Sequence, residues 1–316
     1  MTPLAPQPDV DPVDMALLEE MRRDGRATYE TLGRLLGLSR AAARTRLRRL
    51  LDSGLVRIVG VVHPSVFGLT AYAHAAIAVD GPVGPVAERV VALDTAPFVS
   101  AVTGRWALVA ELRCPDRAAL AEDIRRIAAL PGVRRVDTTV YTEILKDAYF
   151  PPQDSAHTPM PIDDTDRVLL AELQRDGRAP FATLGEAVGL SPGAARTRVL
   201  RLLEAGAVHV GARVYPQALG LAHHTGFELT FGDGAETAVE RIRTLDRVQY
   251  LATAIGRCDA VGTLTGYSAE DVFRSLEELR ATPGVRTVES WTHLWVVKES
   301  YDRSPLTANG RAGEEN

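Results

Sequence analysis

The sequence predicts an α+β chain made of two copies of one unit. Each copy is a three-helix helix-turn-helix domain followed by a ferredoxin-like βαββαβ domain. Three observations carry this. Residues 14–56 and 166–208 are identical at about 25 of 43 positions with no gap, at a 152-residue offset. Helical periodicity fills the front of each copy. Strand-like and helical stretches then follow in the order β-α-β-β-α-β. The same offset carries Pro64 onto Pro216, Gly68 onto Gly220, Gly104 onto Gly256, Lys146 onto Lys298 and Tyr149 onto Tyr301. A period this long is a duplicated two-domain unit, not a solenoid repeat.

The elements follow in order. Asp11 with Pro12 behind it reads as an N-cap and a first helical position, and Asp163 repeats the cap. Leu17, Leu18 and Met21 recur at helical spacing, and Asp24-Gly25 ends that helix. A short second helix over 29–36 stops at Gly37. Ser39 caps a third helix closed by Gly54; in the second copy Ser191 caps, Pro192 takes the first position and Gly206 closes. Behind these, strands are expected at 71–79, 98–102, 106–112 and 133–144, with helices at 86–93 and 117–130. The expected domains are 11–62 and 163–214 (helix-turn-helix), 63–150 and 215–303 (ferredoxin-like), a Pro-rich extended linker at 151–162 and a polar tail at 304–316.

Composition narrows the function classes. At 316 residues, 46% hydrophobic and 24% charged, the chain is ordinary globular material. No apolar run is long enough to span a membrane and no signal peptide is evident, so a cytoplasmic location and no membrane partner are expected. Net charge is −5, so any nucleic-acid surface must be local. Cys114 and Cys258 do not align and lack ligand-spaced partners, and the adjacent His223 and His224 point to opposite faces of a strand. Gly232-Asp233-Gly234 reads as a tight turn rather than a phosphate loop. Neither a catalytic residue nor a metal or cofactor site is expected, and the chain is not expected to be an enzyme.

The third helices carry the chemistry. Residues 37–51 hold Arg40, Arg44, Arg46, Arg48 and Arg49 with no acid, and 189–203 hold Arg196, Arg198 and Arg201 with no acid. Leu47, Leu50 and Leu51 form the apolar face, which turns Arg40, Ala41, Arg44, Thr45 and Arg48 outward. Arginine offers phosphate and guanine a two-pronged donor. The expected DNA contacts are therefore Ser39, Arg40, Arg44, Thr45, Arg46 and Arg48 in the first copy, and Ser191, Arg196, Thr197 and Arg198 in the second. The copies differ where they face the groove: Arg40 becomes Pro192, Ala41 becomes Gly193 and Arg48 becomes Leu200.

Asp14, Leu17, Leu18, Asp24-Gly25-Arg26, Leu32, Gly37-Leu38-Ser39, Arg46, Leu50 and Gly54 together resemble the Lrp/AsnC (feast/famine) regulators. Val62-His63-Pro64 and Gly68 resemble that family's hinge strand, and Gly104 and Pro131-Gly132-Val133 its effector domain. The resemblance implies a helix-turn-helix joined by a strand to a βαββαβ domain that dimerises by its sheet and binds amino-acid-like effectors. This chain fuses two such units, which implies an intrachain pseudo-dimer able to associate further. The family's effector loop, Gly-x-x-Asp, is kept as Gly256-Arg257-Cys258-Asp259, whereas the first copy reads Gly104-Arg105-Trp106-Ala107. Gly104, Gly256, Arg257 and Asp259 are thus the expected effector residues, with Asp259 accepting from an α-amino group or serving as a turn cap. The expectation is a sequence-specific transcriptional regulator binding double-stranded DNA. The alternatives are a small-molecule-binding or metabolic enzyme on the ferredoxin-like domains, and a protein-binding scaffold.

Overall fold

A computed structural model describes residues 10–147, 160–214 and 223–300. Most of the expected linker, the expected tail, and Tyr149, Pro216, Gly220 and Tyr301 lie outside the described residues. The first copy runs α1 (Pro12–Arg23), α2 (Tyr29–Leu36), α3 (Arg40–Asp52), β1 (Val56–Val62), β2 (Ala71–Val79), α4 (Gly84–Val91), β3 (Phe98–Val102), β4 (Leu108–Cys114), α5 (Arg117–Ala128) and β5 (Val133–Lys146). The second repeats it as α6 (Asp164–Arg175), α7 (Phe181–Val188), α8 (Pro192–Glu204), β6 (Val208–Val214), β7 (His223–Phe231), α9 (Ala235–Arg243), β8 (Val248–Ile255), β9 (Ala260–Gly266), α10 (Ala269–Ala281) and β10 (Val285–Glu299). These elements form two compact units, and each unit combines like parts of both copies.

The first unit holds the two helical fronts. Asp11 and Asp163 cap α1 and α6 through reciprocal capping boxes with Asp14 and Asp166. Gly37 and Gly189 end α2 and α7 at φ +66° and +67°, a left-handed turn that a side chain would strain. Leu17, Leu18, Met21, Leu32, Leu47 and Leu50 are buried together, the face that the helical spacing predicts. The strands leaving α3 and α8 pair with each other: β1 and β6 run antiparallel from Val56↔Val214 to Val62↔Val208.

The second unit is a closed eight-stranded barrel in the order β10-β3-β4-β2-β5-β8-β9-β7. Each copy contributes one ferredoxin-like sheet, and the long last strands close both seams. β5 pairs with β8, and β10 pairs with β3 as well as with its own β7. Alternation sorts the side chains. Ala71, Ala73, Ala75 and Ile77 of β2 pack with Leu120 and Ile127 of α5, while Ala76 and Ala78 face the interior with Trp106, Tyr141 and Trp291. The two lysines of the sequence tie the copies together. Lys146 Nζ donates to Leu245 O at 2.8 Å, and Lys298 Nζ donates to Val91 O and Leu93 O at 2.9 Å each.

The α+β class and the βαββαβ order are as expected. β4 starts at Leu108 rather than at residue 106, because Trp106 turns into the barrel interior and Ala107 N bonds Ile77 O. α4 starts at Gly84, with Pro85 in its first turn.

Candidate functional site

Ser39 Oγ accepts from Ala42 N at 3.1 Å and Ser191 Oγ from Ala194 N at 3.2 Å, so both serines start the third helices as N-caps. Ala43, Leu47 and Leu50 bury one face of α3, and Ala195, Val199 and Leu202 bury the same face of α8. Opposite them, Arg40, Arg44, Thr45 and Arg48 are exposed on α3, and Arg196 and Thr197 on α8. Among the described residues, Arg40, Arg44, Arg48 and Arg196 form no ion pair with a carboxylate.

The other arginines of these helices are bonded to carboxylates of α1 and α6 or their caps. Arg46 Nη1 donates to Asp11 Oδ2 at 2.6 Å and to Asp14 Oδ1 at 2.9 Å, and Arg49 bonds the second oxygen of Asp14. Asp14 is fully buried at 0% exposure, so its charge depends on these partners. Arg198 and Arg201 hold Asp163 and Asp166 in the same way. Arg46 lowers the Asp11 carboxyl below its ordinary pKa, and the Asp166 amide and then Arg198 do so for Asp163. The expectation that Arg46 and Arg198 point at DNA is corrected: they bind α3 and α8 to the start of α1 and α6. The 3.6-residue period places them between the buried and outer faces, within reach of the cap carboxylates.

The two fronts clasp each other. Arg26 donates to Gly177 O at 2.6 Å and to Ala179 O at 3.0 Å, with its guanidinium 4.7 Å over the Phe181 ring. Arg178 returns the contact to Gly25 O and Ala27 O at 3.2 Å each, 5.3 Å over Tyr29. Burial, and then the Arg178 charge, lowers the Arg26 pKa. Gly25 N bonds Val210 O and Gly177 N bonds Ile58 O, extending the β1–β6 ladder into the helices. The clasp and the ladder together join the two fronts that carry α3 and α8.

The expected effector loops lie in the barrel unit. Gly104 and Gly256 both take positive φ and are exposed. Asp259 is exposed, and its Oδ2 accepts from Phe231 N at 2.7 Å, the turn-capping alternative. Arg257 departs from the expectation. It turns inward onto Glu228, lies 3.7 Å from both Asp137 and Glu289, and sits 5.1 Å over Trp106. Three carboxylates surround its charge, which explains that direction.

Sequence reasoning missed the barrel interior. His74 stacks on Trp291 at 5.4 Å and lies 3.9 Å from Glu228, and Trp291 meets His293 edge-on. Neither ring nitrogen of His74 or His293 has a hydrogen-bond partner among the described residues. Burial, reinforced by Arg257 and His293, pushes His74 down to about 3; burial and His224 do the same to His293. Burial outweighs the Arg257 attraction and lifts Glu228 to about 7. The available signal was phase: His74 is a polar residue on the interior side of an alanine-rich strand. At the repeat offset His74 meets Gly226 and Glu228 meets Ala76, so each of these groups occurs once in the barrel.

An AsnC-type helix-turn-helix model matches residues 10–51 and 162–203, and the Lrp/AsnC ligand binding domain model matches 75–149. The regulator LrpA of Mycobacterium tuberculosis is 33% identical over 129 residues, which cover 40% of this chain and 86% of LrpA. The chain belongs to the Lrp/AsnC family of transcriptional regulators. FL11 of Pyrococcus abyssi, another regulator, is 24% identical over 140 residues, 44% of this chain and 93% of its own. A solved structure of the siroheme decarboxylase NirDL shares the fold over 90% of this chain and 91% of its own, with a TM-score of 0.66 and 16% identity. The two helix-turn-helix matches fall on the helical fronts, and the ligand binding domain match falls on the first copy's half of the barrel. No helix among the described residues is long and apolar enough to cross a membrane.

Proposed function

We propose that the chain is a sequence-specific DNA-binding regulator that works as a covalent pseudo-dimer. One molecule presents both reading helices, α3 and α8, where a homodimer would need two. The observation that carries this is the free arginine set, Arg40, Arg44, Arg48 and Arg196, exposed on two helices that the Arg26–Arg178 clasp joins. Ser39 and Ser191 start the helices close to the phosphates, and Thr45 and Thr197 stand beside the central arginines. The regulator is cytoplasmic and responds to an amino acid or a related small molecule at the Gly104 and Gly256 loops. Asp259 is the acid that would receive its amino group, and Ala107 leaves the first loop without one.

The test is a gel shift of the full chain on duplex DNA from upstream of its own gene. Binding that weakens steeply with salt supports the reading, and no salt-dependent duplex binding refutes it. Thermal shifts against individual amino acids, repeated with Asp259→Ala, test the effector.

A second reading is catalysis inside the barrel, favoured by His74, His293 and the half-buried Arg257. NirDL, with the same fold, is a siroheme decarboxylase. Incubating the chain with siroheme and following carbon dioxide loss by mass spectrometry decides it.

A further inference from the structure

The two third helices carry different numbers of free charges. On α3, Arg40, Arg44 and Arg48 recur every four residues along one exposed face. At about 1.5 Å rise per residue, this stripe is about 12 Å long. On a helix seated in the major groove, the long side chains at its two ends reach phosphates while Arg44 stands over the base edges. On α8 the corresponding face reads Pro192, Arg196 and Leu200. Pro192 has no charge to offer, and Leu200 is half-buried. The remaining arginines of α8 do not compensate, because Arg198 and Arg201 are bonded to Asp163 and Asp166.

We infer that the two helices divide the work: α3 grips the DNA backbone through Arg40 and Arg48 and reads a base through Arg44, whereas α8 reads through Arg196 without that grip. This rests on the DNA-binding reading above. A homodimer could not separate the two tasks, because each recognition helix would carry the same stripe. The α3 half-site is the anchor, and occupancy of the α8 half-site depends on the clasp that carries α8 to it.

The experiment selects duplexes from a random-sequence library with the full chain, then titrates the selected duplex between 50 and 200 mM salt. Arg40→Ala/Arg48→Ala removes two phosphate contacts, so the slope of log affinity against log salt falls by about 1.8. Wild type binds more tightly at 50 mM, and its advantage narrows about 12-fold at 200 mM. Arg44→Ala and Arg196→Ala each relax selection at one base position, by about 5- to 150-fold. All four residues are exposed and unpaired, so melting temperatures should stay together; a variant that melts early is replaced by its Gln counterpart. An unchanged salt slope for Arg40→Ala/Arg48→Ala, or an equal slope change for Arg196→Ala, overturns the inference while leaving DNA binding intact. Failure of wild type to enrich any sequence, with no salt-dependent binding, overturns the DNA-binding reading itself.

Discussion

Replacing Arg26 with alanine opens half of the clasp between the two helical fronts. The lost contacts are the two bonds to Gly177 O and Ala179 O, at 2.6 and 3.0 Å, and the stack on Phe181. Charge-assisted bonds contribute about 1.5–3 kcal/mol each and a cation–π contact about 0.5–1. Water entering the half-buried gap recovers part of this, as does relief of the Arg26–Arg178 repulsion, leaving a net cost of about 2–4 kcal/mol. The reciprocal Arg178→Ala should cost a similar amount. Both arms brace the same interface beside the β1–β6 ladder, so the double variant should cost about 1 kcal/mol less than the two singles together. The three tryptophans, Trp106, Trp291 and Trp295, all lie in the barrel unit, so fluorescence reports the barrel and far-UV circular dichroism weights the helices. Arg26→Ala should lower the dichroism transition and leave the fluorescence transition in place. DNA affinity should fall, because α3 and α8 are braced less firmly at the spacing that both half-sites require, although the β1–β6 ladder still joins them. A variant within about 0.5 kcal/mol of wild type, with unchanged DNA affinity, would show that the clasp carries no weight.

Other expectations can be checked on the same protein. Asp14→Asn keeps the shape but weakens the bonds to Arg46 and Arg49, and should cost about 1–3 kcal/mol in urea unfolding, as should Asp166→Asn; a cost near zero for both would contradict the anchoring role. Each buried neutral histidine, His74 and His293, with a folded pKa of about 3 against 6.5 unfolded, removes about 1.4 kcal/mol per pH unit as pH falls below 6.5. Glu228, raised from 4.5 to about 7, opposes this between those values, since protonation stabilises its buried form. Barrel stability should therefore fall by about 1.4 kcal/mol per unit from pH 6.5 to 4.5, and by about twice that in Glu228→Gln. Identical pH slopes in the two proteins would refute this assignment. Gly226→Ala places a methyl group 2.2 Å from Trp291 Cε2, which must shift, so a loss of about 1–3 kcal/mol with altered tryptophan fluorescence is expected.

Much of this fold was legible because the repeat supplied its own comparison. Caps, glycine stops and apolar spacing agree between the copies, so chance matches at Asp11, Gly37 or Ser39 are filtered out by Asp163, Gly189 and Ser191. The outward faces of α3 and α8 followed from the helical period alone. Arg46 and Arg198 were misplaced because their partners, Asp11 and Asp14 with their counterparts, stand about thirty residues earlier, and periodicity gives direction but not distance. Arg257 was misplaced for a related reason: Glu228 and Glu289 face each other across β7 and β10 of its own copy and Asp137 comes from β5 of the other, none of them near it in sequence. The interior histidines were overlooked because a lone histidine in a strand carries no spacing signal.

The positions where the copies agree and differ have a common physical basis. Arg26 and Arg178, Lys146 and Lys298, and Asp14 and Asp166 occupy equivalent places, and each makes a contact that the two-fold arrangement needs twice. The interior of the barrel obeys a different constraint. In a homodimer, any residue near the axis meets its own copy, so a large side chain at such a place must fit against itself. Fusion removes that requirement. Trp291 stands where the first copy has Thr139, His74 where the second has Gly226, and Trp106 where the second has Cys258, so a large group in one copy corresponds to a small one in the other. Gly226 leaves no room for a Cβ against Trp291, and the Trp291 ring stacks on His74 of the opposite copy. Such a fit specifies first copy with second: two first copies would pair without either Trp291, and two second copies without His74. The same release applies to the unequal stripes of α3 and α8, which no symmetric pair of identical chains could keep apart.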